Sequence, residues 1–175
     1  MTGITQKQLQ KYMQKFPEEA ATINATEHFL SATKQQAVAD KVTISYWIFN
    51  PETGKILLTK SATKSQWSPI EGKPVQKFDD RLQEYTLTEL KEISGLQDIQ
   101  PYNDEIFDLE IQYIDNTNVS CYVYNFCFLF FTHNKNLKEQ LQWVSTSEIS
   151  RESTAKKCLN LFKKWQLFCF EQHTV

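Results

Sequence analysis

Glycine is scarce in this chain, which holds four, at positions 3, 54, 72 and 95. Loops that cradle phosphate need several glycines at fixed spacing so that the backbone can approach the ligand, and both the P-loop and the dinucleotide-binding fingerprint are therefore excluded. The four cysteines, at positions 121, 127, 158 and 169, form no CxxC pair and no CxxC with HxxxH, which speaks against zinc. Histidine is as thin: His28, His133 and His173 sit in dissimilar contexts, none beside a Ser or Cys in a nucleophile motif. The longest apolar run, Phe126 to Phe131, is far short of the roughly 20 residues of a membrane-spanning helix. The opening MTGITQKQLQKYMQ lacks the basic-then-apolar layout of a signal peptide. A net charge of -2 supplies neither a basic field for a nucleic-acid polymer nor an acidic tail. What is left is a cytoplasmic protein with no membrane or nucleic-acid polymer as partner.

What is present suits an ordinary globular class. With 175 residues, 41% of them hydrophobic, the chain can bury one sizeable core and does not demand two full domains. Leu9, Tyr12, Met13 and Phe16 recur at i, i+3, i+4 and i+7, which predicts an amphipathic helix ended near Pro17. Pro17-Glu18-Glu19 then reads as the start of a second helix running to about Leu30. These helices are expected to cap a sheet or shape a cleft, with a homodimer contact as the other use.

Residues 42–49 and 55–60 flank Asn50-Pro51-Glu52-Thr53-Gly54, a hairpin signal with Gly54 placed for positive φ. The run from Val119 to Thr132 is apolar on both faces apart from Asn125 and predicts a central strand. Asn125 then needs hydrogen bonds, as a satisfied core amide or as a polar group facing a ligand. Cys121 and Cys127 share one face of that strand, where packing is the expected role. The segment from Ser150 to Phe170 puts Cys158, Leu161, Phe162, Trp165 and Phe168 on one side and Lys156, Lys157, Lys163 and Lys164 largely on the other, a docked helix with a solvated basic face. Tyr46, Trp47, Tyr122 and Tyr124 could stack a base, but core is the expected place for most.

The most informative stretch is WSPIEGKPVQKFDDRLQEYTLTELKEISGL, from Trp67 to Leu96. Its second half predicts an amphipathic helix closed by Gly95 in the left-handed conformation. At 100° per residue Leu82, Tyr85, Thr86, Glu89, Ile93 and Leu96 fall on one side, so Glu89 lies in the core-facing stripe and Glu92 at its margin. A carboxylate there must meet a cation, a metal or hydrogen-bond donors, or else be protonated. Asp108 and Glu110 alternate on the following strand, and Glu148 follows LQWVSTS. These could add carboxylates to a cleft or be an outward strand face and a helix-start Glu.

Taken whole, the segment resembles the Nudix box, G-x5-E-x7-R-E-U-x-E-E-x-G-U with U a bulky aliphatic residue. The likeness extends over roughly residues 42–150: a strand, hairpin and strand before the box, then DEIFDLEI, a long apolar strand and LQWVSTSEI after it. The resemblance implies an α/β fold, the Nudix α/β/α sandwich around a mixed β-sheet, here with extra N-terminal helices. Residues 1–40 would form the helical extension and residues 41–175 the Nudix-like domain. It also implies Mg2+ or Mn2+ as cofactor, held by helix glutamates, and hydrolysis of a nucleoside diphosphate linked to another moiety.

The departures from the pattern bear on that chemistry. Glu89 and Glu92 match two metal-binding positions, but the third is Ile93, and the Arg expected before Glu89 is Thr88. Gly72 is followed by eight residues up to Asp80 where the pattern has six, so Asp79 or Asp80 would stand in for the first Glu with a shorter reach. In a branch whose loop reads G-G-H-A-D-G and whose later strand carries H-x-H-x-D, the loop His becomes Lys73 and the strand positions become Cys121, Val123 and Asn125. By resemblance, Glu89 and Glu92 would be catalytic, Glu89, Glu92 and Asp80 metal-binding, and Gly72, Lys73 and Asn125 substrate-binding. Two glutamates can still hold one substrate-bridging ion, but a second metal would be harder to place. The expectation is a nucleotide-type ligand with hydrolysis weak or lost. The alternative is a non-catalytic nucleotide-binding or protein-interaction module on the same fold.

Overall fold

The structure is a computed structural model, described for residues 6–32, 40–60, 66–75, 82–116, 119–134, 137–150 and 153–172. Asp79 and Asp80, and the side chains of Leu82 and Tyr85, lie outside the described residues.

The chain opens with α1 (Gln6–Lys15), a 3-10 turn at Pro17–Glu19 and α2 (Ala20–Ala32). The hairpin of β1 (Lys41–Phe49) and β2 (Ile56–Lys60) follows, then two short strands, β3 (Trp67–Ser68) and β4 (Ile70–Glu71), and α3 (Leu82–Ser94). The long pair β5 (Gln100–Asn116) and β6 (Val119–Phe131), β7 (Leu141–Val144), a second 3-10 turn at Thr146–Glu148 and α4 (Lys156–Gln172) complete it. The hairpin turn closes as its residues require. Asn50 accepts from the backbone N–H of Glu52 and Thr53 through Oδ1, and Gly54 takes φ 65°.

Among the described residues the sheet runs β3-β2-β1-β6-β5, with β4 on β1 and β7 on β2. It is mixed. β1 pairs parallel with β6 from Lys41–Val123 to Phe49–Phe131, whereas the other pairings are antiparallel. Being parallel and central, β1 and β6 are covered on both faces, which is why their sequences are nearly continuous apolar runs.

The two faces have different cores. One joins Ile44, Tyr46, Ile48, Phe126 and Phe130 to Leu9, Tyr12 and Ile23 of the N-terminal helices and Leu90 of α3. The other joins Trp47, Cys127 and Leu129 to Cys158, Leu161 and Trp165 of α4. The molecule is thus an α/β/α sandwich. The apolar stripes of α1 and α2 are spent on the chain's own sheet, with Phe29 stacked on Tyr124 at 4.0 Å between centroids. Burying each such large side chain is worth about 1.5–3 kcal/mol.

β5 is an edge strand, which lets it carry Pro101. Its register slips between Ile106, opposite Phe128, and Asp108, opposite Cys127. The extra residue sends the consecutive side chains of Phe107 and Asp108 both toward α4, as a bulge does. Tyr12 of α1 covers this edge, its hydroxyl accepting the backbone N–H of Leu109 at 3.1 Å.

Candidate functional site

α3 ends as its sequence predicts, with Gly95 at φ 77°. Its buried side runs through Thr86, Leu90 and Ser94, with Ile93 partly buried against the core. The predicted stripe is turned slightly, because the fully buried Leu90 lies at its centre. Glu89 is half-buried at the margin and Glu92 is exposed.

Glu89 meets donors from the scaffold on both oxygens. The Tyr46 hydroxyl donates to Oε2 at 2.6 Å and the backbone N–H of Lys73 donates to Oε1 at 2.8 Å. Burial, and then the bond to Glu89, push the Tyr46 phenol well above its usual range, so it stays a donor. Gly72 makes the arrangement possible. A Cβ there would overlap the Glu89 carboxylate and come 2.8 Å from the Tyr46 hydroxyl oxygen. β1, the turn after β4 and α3 are thereby clamped about one carboxylate. Lys73 contributes its backbone while its side chain is exposed.

Among the described residues, which leave out Asp79 and Asp80, the donor set does not assemble a Nudix-type metal cluster. Glu89 already accepts two hydrogen bonds, Glu92 points to solvent, and Ile93 offers no donor atom. Among the described residues no three His, Cys, Asp or Glu side chains converge as a metal site would need.

The remaining candidates lie elsewhere. Asn125 is 3% exposed and its amide is used on both sides, donating to Ser45 Oγ and accepting from Thr43 Oγ1, each at 3.0 Å. By register, Asn125 and Cys127 share a face with Thr43 and Ser45, opposite to that of Tyr46 and Glu89. Asp108 and Glu110 pair with Cys127 and Asn125, so they too face α4 and do not join Glu89. Glu148, the last residue of the 3-10 turn, reaches back to cap its start: the Ser145 backbone N–H donates to its Oε2 at 2.8 Å, which holds its carboxyl below the usual range. Cys121 and Cys127 are buried, and of the four aromatics that could stack a base Tyr122 is substantially exposed, whereas Tyr46, Trp47 and Tyr124 are core.

The sequence reading missed a second polar centre. Lys164 of α4 reaches Asp108 Oδ1 at 2.5 Å, Glu19 Oε1 at 2.6 Å and the Tyr12 hydroxyl at 2.5 Å, and lies over the Phe16 ring at 4.3 Å. Tyr12 in turn donates to Glu19 Oε2 at 2.7 Å, and burial, then the Asp108 charge, push its phenol far up. Lys157 is drawn to Glu71 at 2.9 Å. Two of the four lysines expected on a solvated helix face are therefore partly buried ties. A cavity of about 400 Å³ opens beside this cluster, along β5 between α2 and α4.

No protein-family model and no curated protein sequence matches the chain. Solved structures do. The MutT protein from Methanosarcina mazei Go1 is 18% identical with a TM-score of 0.54, over 75% of this chain and 96% of that one. The Nudix fold is shown. The E. coli dihydroneopterin triphosphate pyrophosphohydrolase aligns at 11% identity and a TM-score of 0.53, over 73% of this chain and 97% of that one. The Nudix domain of Shewanella oneidensis NrtR, complexed with ADP ribose, aligns at 13% and 0.51, over 78% and 92%. At such identities the likeness is one of fold.

Proposed function

We propose that this chain is a cytoplasmic Nudix-fold protein whose inherited reaction, metal-dependent hydrolysis of a nucleoside diphosphate linked to another moiety, is weak or lost while nucleotide binding is kept. The observation that carries this is the state of Glu89. Its two oxygens are tied to Tyr46 and to the Lys73 N–H, and the neighbouring box position is Ile93. Lewis-acid activation supplies much of the barrier reduction in metal-assisted hydrolysis, so losing a ligand costs orders of magnitude in rate. Binding is a separate matter. The NrtR domain of the same fold holds ADP ribose, which supports ligands of that class here.

The test pairs turnover with binding. Phosphate release from a panel of nucleoside diphosphate and triphosphate derivatives, including ADP-ribose, is followed at millimolar Mg2+ and separately Mn2+, with folded Glu89→Gln as control. The expected result is no turnover above the control, together with a rise in melting temperature. A ligand at 100 times its Kd adds about 2.7 kcal/mol of stability. Metal-dependent turnover that Glu89→Gln abolishes would overturn the loss of catalysis, and a panel that neither reacts nor stabilises would overturn the nucleotide reading.

A further inference from the structure

The β5 edge of the sheet is guarded over only part of its length. Proline, bulges, lysines or a covering element keep an edge strand from pairing with another chain. The first half of β5 has such guards: Pro101, the bulge at Phe107, and α1, whose Gln8 side chain donates to the Asp104 carbonyl and whose Tyr12 hydroxyl receives the Leu109 N–H. The stretch IQYIDN, from Ile111 to Asn116, has no proline, no lysine and no register shift. Its apolar side chains are open as well, with Tyr113 58% exposed, Ile114 37% and, beside them on β6, Tyr122 48%.

Two hydrogen bonds fix which way the backbone groups point. The Leu109 N–H is turned away from β6, to Tyr12, and the pairing runs without a slip from Leu109–Phe126 to Asn116–Val119. The alternate residues Ile111, Tyr113 and Asp115 therefore also turn their N–H and C=O outward. The opposite strand agrees, since Tyr122, paired with Tyr113, sends its own N–H away from β5 to Asp40 at 2.8 Å. No hydrogen bond within the described residues engages those outward groups of Ile111, Tyr113 and Asp115. There is also room beside them. The cavity of about 400 Å³ is lined by the consecutive residues Asp108, Leu109, Glu110 and Ile111, and because neighbours on a strand face opposite ways, a space that touches all four lies along the edge itself, between α2 and α4.

We propose that this edge pairs with β5 of a second copy of the chain, antiparallel, about a twofold axis at Tyr113. A twofold axis makes such a pairing antiparallel and self-complementary. With Tyr113 opposite itself, Ile111 and Asp115 face one another on either side of the axis, and the three pairs exchange about six backbone hydrogen bonds. An axis at Gln112 would bring Asp115 against Leu109, whose N–H Tyr12 already holds, and an axis at Ile114 would leave fewer pairs. The side chains suit the same register. Tyr113 meets its copy with Tyr122 5.1 Å behind it, and Ile114 lies opposite Gln112 on the other face. Asp115, the one charged residue in the stretch, stands opposite Ile111 and not opposite its copy. It arrives at the cavity, whose α4 wall carries Lys157, Lys163 and Lys164. The hairpin end of each copy thus enters the groove of the other.

Sedimentation velocity of the full chain between about 1 and 200 µM reads the association. Wild type should pass from monomer to dimer with a micromolar Kd, as a small interface gives. Tyr113→Lys and Tyr113→Glu each set like charges against one another on the axis and should each weaken the dimer by about tenfold or more. Their far-UV circular dichroism should match wild type, because the side chain is exposed. A one-to-one mixture of the two variants should restore the dimer, since only a residue on the axis meets its own copy. Wild type that stays monomeric at about 200 µM would overturn the second copy and leave the edge to an extended segment of another protein. A dimer untouched by either charge, or one that the mixture fails to restore, would place the contact elsewhere and overturn the proposal.

Discussion

Glycine 72 shows how much a single position decides. Its missing Cβ is the space into which the Glu89 carboxylate and the Tyr46 hydroxyl fit. Gly72→Ala should therefore cost about 1–3 kcal/mol through overpacking, read as a lower denaturation midpoint. In a Glu89→Ala background the same change should cost less, since the nearer of the two clashing oxygens is gone and only the Tyr46 hydroxyl, at 2.8 Å, must still shift; equal costs in both backgrounds would refute the clamp. Tyr46→Phe should also destabilise, by about 1–3 kcal/mol, because Glu89 then keeps only the Lys73 N–H. The need of Glu89 for a partner could be read from its place on the helix. That the partner is Tyr46 could not, because a tyrosine alternating within an apolar strand looks like any core aromatic.

At the scale of elements, ties between helices and the edge strand hold the N-terminal segment in place. Lys164 joins α4 to Glu19 and to Asp108, whose side chains are 26% and 10% exposed. Lys164→Met should cost about 3–5 kcal/mol by leaving two carboxylates unpaired, and adding Asp108→Asn should recover part of that in a thermal melt. α1 makes a weaker contact through Lys11 and Lys15 to Glu105 at 3.2 and 2.7 Å. The bond from Lys15, more than that from Lys11, holds the Glu105 carboxyl below its ordinary value of 4.5. A carboxyl lowered on folding stabilises above its unfolded pKa, and the contribution is lost as pH falls through the folded value. Glu105→Gln should thus lower stability by under about 1 kcal/mol at pH 7, since the pair is partly exposed, and the difference should vanish in acid. A difference that persists at pH 3 would mean that packing, and not charge, is what the substitution removes.

Over the whole molecule, α4 is fixed by its apolar face as well as by its lysines. Burial pushes the Cys127 and Cys158 thiols up to about 12, and raises Cys169 less strongly. Cys169 is only partly buried, so alkylation of the native protein should modify it first, while Cys121, Cys127 and Cys158 wait for unfolding. Peptide mass spectrometry after timed labelling reads this order. Labelling of Cys158 as fast as Cys169 would show that α4 lifts from the sheet under native conditions.

The sequence by itself determined most of the helices and strands, because these are written in local spacing, while the sandwich fold followed from the likeness of residues 42–150 to the Nudix pattern. Alternation and apolar runs mark the strands, the Asn50–Gly54 turn sets the hairpin, and Gly95 closes the box helix. By its resemblance to the box, the sequence also places Ile93 where the pattern has a carboxylate. Tertiary structure alone decided what the polar groups do. Whether Asn125 faces a ligand or other side chains depends on Thr43 and Ser45, about 80 residues away in sequence. The bulge at Phe107 and the crossing of α4 over the sheet set Asp108 beside Lys164. A side chain's hydrogen-bond partners are fixed by which strands and helices meet, and no period in the sequence records that meeting.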